Sequence, residues 1–322
     1  MLPGSESAAR RVDLAAPSGM ALVPRRRVGW IERNERRLFL APAVLLILCL
    51  SVFPLLASLG ISFLYWNFGD PGAGFRWAGL FHWGRLLTDS HFQTVLKNTL
   101  LYVVIGVPAQ YVLGLVLALV LNQEIRGRRF FRVLFLIPMM LSPVAVAYVL
   151  GRMTFNESQG PVNDMLLALH IPPVGWLTNS PVPFFTIAIV DTWQWTPFMM
   201  LLLLAGLQGI STEVLEAAKL DAQSPWQVFR YVVFPLLLPW SVTAILLRSL
   251  ETLKIVDLIV VITAGGPGIS TESLTLYAYQ TGIRNLDLGY ASAISYTLLI
   301  IATVLSTVFL LVVRNRIAQV TD

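Results

Sequence analysis

Residues 193–239 read WQWTPFMMLLLLAGLQGISTEVLEAAKLDAQSPWQVFRYVVFPLLLP, two apolar runs on either side of a short polar segment. The polar segment, Ile210 to Pro235, carries its own helix signals. Ser211 stands as an N-cap, with Glu213 and Glu216 in the turns that follow, where carboxylates interact favourably with free backbone amides. Ser224 followed by Pro225, with Gln227 three residues on, has the form of a capping box with proline at the first helical position. The pattern predicts two short helices of about 11 residues joined by a turn at Ala222–Ser224, with Pro235 ending the second. Val214, Leu215, Ala218, Val228 and Phe229 would anchor them on an apolar surface.

The flanking runs, Pro183–Ile210 and Leu236–Thr263, are long enough to cross a hydrocarbon layer, which takes about 20 apolar residues. Four more such stretches, Leu38–Trp66, Leu100–Leu121, Val133–Leu150 and Gly289–Val313, bring the expectation to about six transmembrane helices. Composition agrees, since 56% of the 322 residues are hydrophobic and 13% charged, whereas a soluble domain carries about a quarter charged residues. The fold class is therefore all-α and polytopic. Ten-residue blocks of alternating hydropathy, the mark of an outer-membrane barrel, do not occur. The single cysteine, Cys49, rules out an intramolecular disulfide and reads as a packing residue.

Orientation follows from the connecting segments. One alternate set holds Arg25, Arg26, Arg27, Arg33, Arg36, Arg37, Arg126, Arg128, Arg129, Arg132, Lys219, Arg230, Arg314 and Arg316; the other holds Arg76, Arg85, Lys97, Arg152 and Arg284. Fourteen against five places both termini on the cytoplasmic side. The expected organisation is a basic cytoplasmic tail over 1–37, a membrane domain over 38–313 and a short cytoplasmic tail over 314–322. The first 37 residues lack the apolar core of a secretory signal. No basic face with interleaved aromatics suggests nucleic acid. His82, His91 and His170 are scattered through the outward loops without acidic or Cys neighbours at ligand spacing, so no metal site is expected.

The 193–239 stretch closely resembles the EAA loop of permease subunits of ATP-binding-cassette importers, in particular the sugar permeases of the maltose, lactose and glycerol-3-phosphate type. The resemblance rests on Glu216-Ala217-Ala218, Asp221, Phe229, Pro235 and Pro239, and continues through Val256–Gln280 and Gly289–Tyr296. It covers nearly all of Leu38 to Arg316. It implies the type I importer permease fold, with cytoplasmic coupling helices in the 210–235 loop that dock on an ATPase subunit and transmit its closure. By resemblance, Glu213, Glu216, Asp221 and Phe229 shape or contact that interface, Ala217 and Ala218 permit close helix approach, and Pro235 bounds the loop. The implied partners are a second permease subunit, two ATPase subunits, an extracellular or periplasmic solute-binding protein and the bilayer of a bacterial inner membrane. One departure stands out: Ala222-Gln223 replace the usual Gly-Ala, and a left-handed turn there would cost about 1 kcal/mol with alanine.

Arg248, Glu251, Lys254 and Asp257 recur every three residues with alternating sign, so that neighbours could pair along one helix. Facing lipid, each charge would cost about 2.5–3.5 kcal/mol, so the band must face protein or a wet cavity. Asp191, Trp193, Gln194, Tyr277, Tyr290, Ser292, Ser295 and Tyr296 are further candidates for the solute path, aromatic faces suiting sugar rings and hydroxyls suiting sugar hydroxyls. Gly265-Gly266-Pro267-Gly268 lacks the Gly-Lys-Ser/Thr ending of a phosphate cradle and reads as a tight re-entry turn. Catalytic residues are not apparent, and the resemblance implies that ATP and magnesium are bound by partner ATPases. The expected activity is solute import: a sugar, with glycerol-3-phosphate or another small polar solute as the alternative. A secondary transporter or channel is the alternative of a different class, but no inverted repeat is apparent.

Overall fold

The computed structural model describes the backbone of residues 30–69 and 76–321, and the side chains of 39–69 and 76–311. Most of the expected N-terminal tail, and the side chains of the expected C-terminal tail, lie outside these residues. Two units are distinguished, Met1–Pro54 and Leu55–Asp322. In the first, helix α1 (Trp30–Ile47) passes through a π-helical turn, Leu48–Val52, into the start of α2 (Phe53–Ile61). From Phe39 on, most of its apolar side chains are exposed, and so is Cys49. The packing role expected of that cysteine is not what the structure shows; it sits on a face suited to lipid.

The second unit opens with the rest of α2, followed by two antiparallel paired strands, β1 (Leu64–Tyr65) and β2 (Arg76–Trp77), and by α3 (Phe81–Thr88). Helix α4 (Ser90–Leu101) continues through a π turn into α5 (Val107–Asn122), and α6 (Arg128–Met140) leads to the short α7 (Pro143–Val146). After α8 (Pro161–Ala168) come the long α9 (Val182–Gln208), α10 (Thr212–Asp221), α11 (Pro225–Val228) and α12 (Phe234–Thr252). Short α13 (Asp257–Ile262) and α14 (Leu274–Tyr279) precede the final α15 (Leu288–Thr321). Among the described residues, five helices are long and apolar enough to span: Phe39–Ile61, Ser90–Asn122, Val182–Gln208, Pro225–Thr252 and Leu288–Leu311.

The third expected span, Val133–Leu150, is broken. α6 and the Pro143–Met153 helix meet at 92°, at Leu141-Ser142. Pro143 drives the residue before it out of the helical region, and Ser142 is extended at ψ 132°.

The fifth expected span ends early, at Thr252 rather than Thr263. The Ser273 hydroxyl donates to the Ile255 carbonyl at 2.6 Å, satisfying that acceptor from outside and fixing the chain where it leaves the helix. At its other end the expectation of a stop at Pro235 also fails. Pro225 to Thr252 is one 28-residue helix. A π turn at Phe229–Val233 ends at the residue before Phe234-Pro235, so Pro235 lies inside a continuous helix just after a local shift in its hydrogen bonding.

Helix α9 is the centre of the bundle. Ile187, Val190, Met199, Met200 and Leu203 are fully buried. It packs so closely on α5 that a Cβ at Gly114 would lie 2.5 Å from Met199 Cβ and 2.9 Å from the Met200 nitrogen. Only glycine admits that approach, as membrane helices commonly exploit.

Candidate functional site

Two regions of the bundle carry the expected site residues. At the end where α9 finishes, Ser211 caps α10, its Oγ accepting from the Val214 amide at 3.4 Å. Ser224 caps the next helix through the Gln227 amide, and Gln227 Oε1 accepts from the Gln223 amide at 2.8 Å. The reciprocal pattern is the one the sequence predicts, displaced by one residue toward Gln223. Ala222 is extended, at φ −91° and ψ 139°. The substitution of alanine for the usual glycine thus introduces no left-handed strain, because the turn takes an extended conformation at that position.

Glu213, Glu216, Ala217 and Asp221 are exposed along α10, whereas Ala218 is half-buried. Leu220, at 87% exposure, together with Val214, Trp226 and Tyr231, adds exposed apolar groups to the same loop. Behind it lies a groove of about 710 Å³ lined by Leu119, Leu207, Leu215, Val228 and Phe229 among others. Phe229 therefore faces inward, and Pro235 is half-buried within the helix.

Deeper in the bundle three spans meet through polar groups. Arg248 on α12 donates from Nη2 to both carboxylate oxygens of Asp191 on α9 at 2.6 Å, and from Nε to Gln110 Oε1 on α5 at 2.7 Å. Gln110 Nε2 closes the triangle on Asp191 Oδ2 at 2.7 Å. Asp191 and Arg248 are each 3% exposed and Gln110 is fully buried. The Arg248 guanidinium also lies 4.9 Å from the ring centre of Trp195. In so buried a setting each member leaves an uncompensated partner if removed.

Of the charged ladder expected along one helix, only the Glu251–Lys254 step forms. Arg248 pairs with Asp191 rather than Glu251, and the helix ends before Lys254 and Asp257. Glu251 and Lys254 pair with one another at 2.9 Å, largely exposed, and Asp257 begins α13. All four, with Asp191, nevertheless line one small polar cavity of about 170 Å³ beside Trp195. Its ionisable lining is three carboxylates against two cations.

The remaining expected path residues are dispersed. Trp193 is 43% exposed and lines neither this cavity nor the groove. Gln194 is buried and donates to the Leu141 carbonyl at 3.3 Å. Tyr277 and Tyr290 are buried and both donate to Asp89 Oδ2, at 2.8 and 2.5 Å. Ser295 donates to its own helix at Ala291, Tyr296 donates to the Leu55 carbonyl, and Ser292 is half-buried away from the cavity. The two tyrosines line a second polar cavity of about 270 Å³ with Arg85, His91 and Asp287.

Asp89 also caps α4 through the His91 amide. Burial would raise its pKa, but the Tyr290 and Tyr277 hydroxyls and the backbone amides of Phe92 and His91 outweigh that and hold it below the ordinary carboxylate value. His91, expected to have no acidic neighbour, bonds Glu272 at 2.7 Å, an acid 181 positions away in sequence. Among the described residues no three metal-ligating groups come together. The re-entry turn expected at Gly265–Gly268 is present, with Gly265 at φ 96° and Gly268 at φ 61°.

Residues 110–319 match the family described as binding-protein-dependent transport system inner membrane component. The chain is 35% identical over 295 residues to a probable ABC transporter permease protein of Sinorhizobium fredii, covering 92% of this chain and 94% of that one. It is 37% identical over 239 residues to the trehalose/maltose transport system permease protein MalF of Thermococcus litoralis, covering 74% and 80%. It is 34% identical to the lactose transport system permease protein LacF of Rhizobium radiobacter, covering 87% and 94%. Among solved structures, a chain of a bacterial alginate ABC transporter in complex with an alginate pentasaccharide-bound periplasmic protein superposes with a TM-score of 0.77 at 19% identity, over 91% of this chain and 98% of that one.

Proposed function

The chain belongs to the family of binding-protein-dependent transport system inner membrane components, and we propose that it imports a neutral mono- or oligosaccharide, paired with a second permease and driven by two ATPase subunits. The observation that carries the coupling role is α10. It is a capped helix presenting Glu213, Glu216 and Asp221 to solvent beside the apolar Leu220 and Trp226. A capped helix transmits displacement where a frayed loop would absorb it. Such a surface, held in shape by hydrogen bonds at both caps, suits docking into a cleft of a cytoplasmic ATPase. The excess of Arg and Lys at this end of the bundle supports both termini lying in the cytoplasm.

The choice of a neutral solute rests on the polar cavity. Arg248 is neutralised by Asp191 and Lys254 by Glu251, leaving Asp257 without a cationic partner among the described residues. A phosphorylated or carboxylated solute would meet net negative charge there. Relatives named for trehalose, maltose and lactose transport point the same way. A solute-binding protein on the outer side would deliver the sugar, and ATP with magnesium would be held by the ATPase subunits.

The test is reconstitution of the chain with its partner subunits and binding protein in vesicles, with uptake of labelled maltose and of glycerol-3-phosphate. Glu216→Arg is expected to leave the chain folded and assembled but to abolish ATP-dependent sugar uptake. Normal uptake and normal stimulation of ATP turnover in that variant would refute the coupling role, and preferential uptake of glycerol-3-phosphate would refute the solute class. Uptake by this chain alone would indicate a secondary transporter.

A further inference from the structure

At the end of the bundle that carries the 210–235 loop, two arginines stand without a counter-ion. Helix α6 begins at Arg128, after Gly127 at φ 81°, so Arg128 and Arg132 fall one turn apart on the same face. Both reach across to Gln208, the last residue of α9. With its amide oxygen turned toward them, Gln208 accepts from Arg128 Nη2 at 2.8 Å and from Arg132 Nη2. That neutral oxygen is their shared partner. The Nε of each arginine is shielded from solvent and has no hydrogen-bond partner among the described residues.

Neither arginine forms an ion pair among the described residues, and Glu124, the acid nearest in sequence, is exposed. Like charges at this spacing repel. The C-terminus of α9 offers about half an elementary charge of compensation, which leaves most of two cations unbalanced. Partly buried guanidiniums with unused donors call for an oxyanion, and their planar fork matches phosphate in particular.

The surroundings say where that phosphate comes from. On the same helix Phe130, Phe131, Val133 and Leu134 are exposed, Phe130 at 67%. A dissolved ion would leave these side chains uncovered, whereas a lipid covers them with acyl chains while its headgroup sits at the level of the arginines. We propose that Arg128 and Arg132 form a binding site for the phosphate of an anionic lipid headgroup in the leaflet at this end of the bundle. Gln208 holds the two guanidiniums side by side, and the Phe130 and Phe131 rings lie against the lipid tails.

The experiment uses the full-length chain, stripped of lipid in detergent, titrated with short-chain phosphatidylglycerol, short-chain phosphatidylcholine and inorganic phosphate and read by native mass spectrometry. Phosphatidylglycerol is expected to bind best, and Arg128→Gln with Arg132→Gln to weaken it about tenfold or more. Arg126→Gln with Arg129→Gln removes the same charge from exposed neighbours and is expected to change it less than about twofold. Gln208→Glu keeps both arginines and supplies an internal counter-ion, so it should weaken lipid binding while raising the melting temperature of the lipid-free chain. Equal binding by wild type and by Gln208→Glu, or equal losses in the two arginine pairs, would overturn the site. Inorganic phosphate binding as tightly as phosphatidylglycerol would overturn the lipid assignment. Loss of lipid binding when the chain is assembled with its partner subunits would assign the arginines to a protein carboxylate instead.

Discussion

Arg248 and Asp191, 57 residues apart in sequence, meet through two 2.6 Å hydrogen bonds inside the bundle and tie α12 to α9. Removing one partner leaves the other charge buried and unpaired, a loss of about 3–5 kcal/mol. Asp191→Ala and Arg248→Met alone are each expected to lower the melting temperature of the detergent-solubilised chain sharply. The double variant Asp191→Leu/Arg248→Met is expected to recover most of the loss, because well-packed apolar groups replace a buried pair at little net cost. Additive losses in the double variant would contradict this reading.

The Asp89 carboxylate is expected to make the chain sensitive to acid. Its folded-state pKa lies below its unfolded value, so its stabilising contribution is complete above the ordinary carboxylate pKa and disappears as pH falls through the lower folded value. Asp89→Asn should flatten the pH dependence of thermal stability in that acidic window, and an unchanged profile would exclude Asp89 as its source.

Gly114→Ala is expected to destabilise the chain by about 1–3 kcal/mol, since the new methyl would overlap Met199 on α9. Gly60→Ala serves as the control, because nothing lies within 4 Å of the added carbon there. Comparable melting temperatures for the two variants would argue against the close α5–α9 approach.

The α10 cap should be measurable by hydrogen exchange. Ser211→Ala is expected to cost about 1 kcal/mol locally, which raises exchange of the first amides of α10 about fivefold. Helix α9 should stay protected. Exchange unchanged in α10 would mean that the cap contributes nothing.

Much of the membrane architecture is legible in the sequence because span length and loop charge are set by the bilayer itself. The loop caps at Ser211 and Ser224 are legible for a similar reason: their signals are local. What sequence reasoning misses are partners far apart along the chain. Spacing links Arg248 to Glu251, but the helix carrying both turns Arg248 toward Asp191 and leaves Glu251 in the cavity mouth. Gln110 completes the triangle and goes unnoticed, although an amide inside the apolar run Leu100–Leu121 is itself a signal of a buried polar contact. Tyr277 and Tyr290 look like sugar platforms from composition. Their hydroxyls are committed to Asp89, an acid that reads as ordinary loop until the fold brings it between them. Pro235 misleads because a π turn absorbs the defect it would otherwise impose.

That π turn makes Pro225–Thr252 a single rod about 40 Å long, with Trp226 near one end and Arg248 one turn from the other. A tilt of about 3° at the Trp226 end sweeps the far end through about 2 Å. The Arg248–Asp191 bond pins the rod to α9 near that far end, so a push on Trp226 is resisted at Asp191 and becomes torque on the central helix.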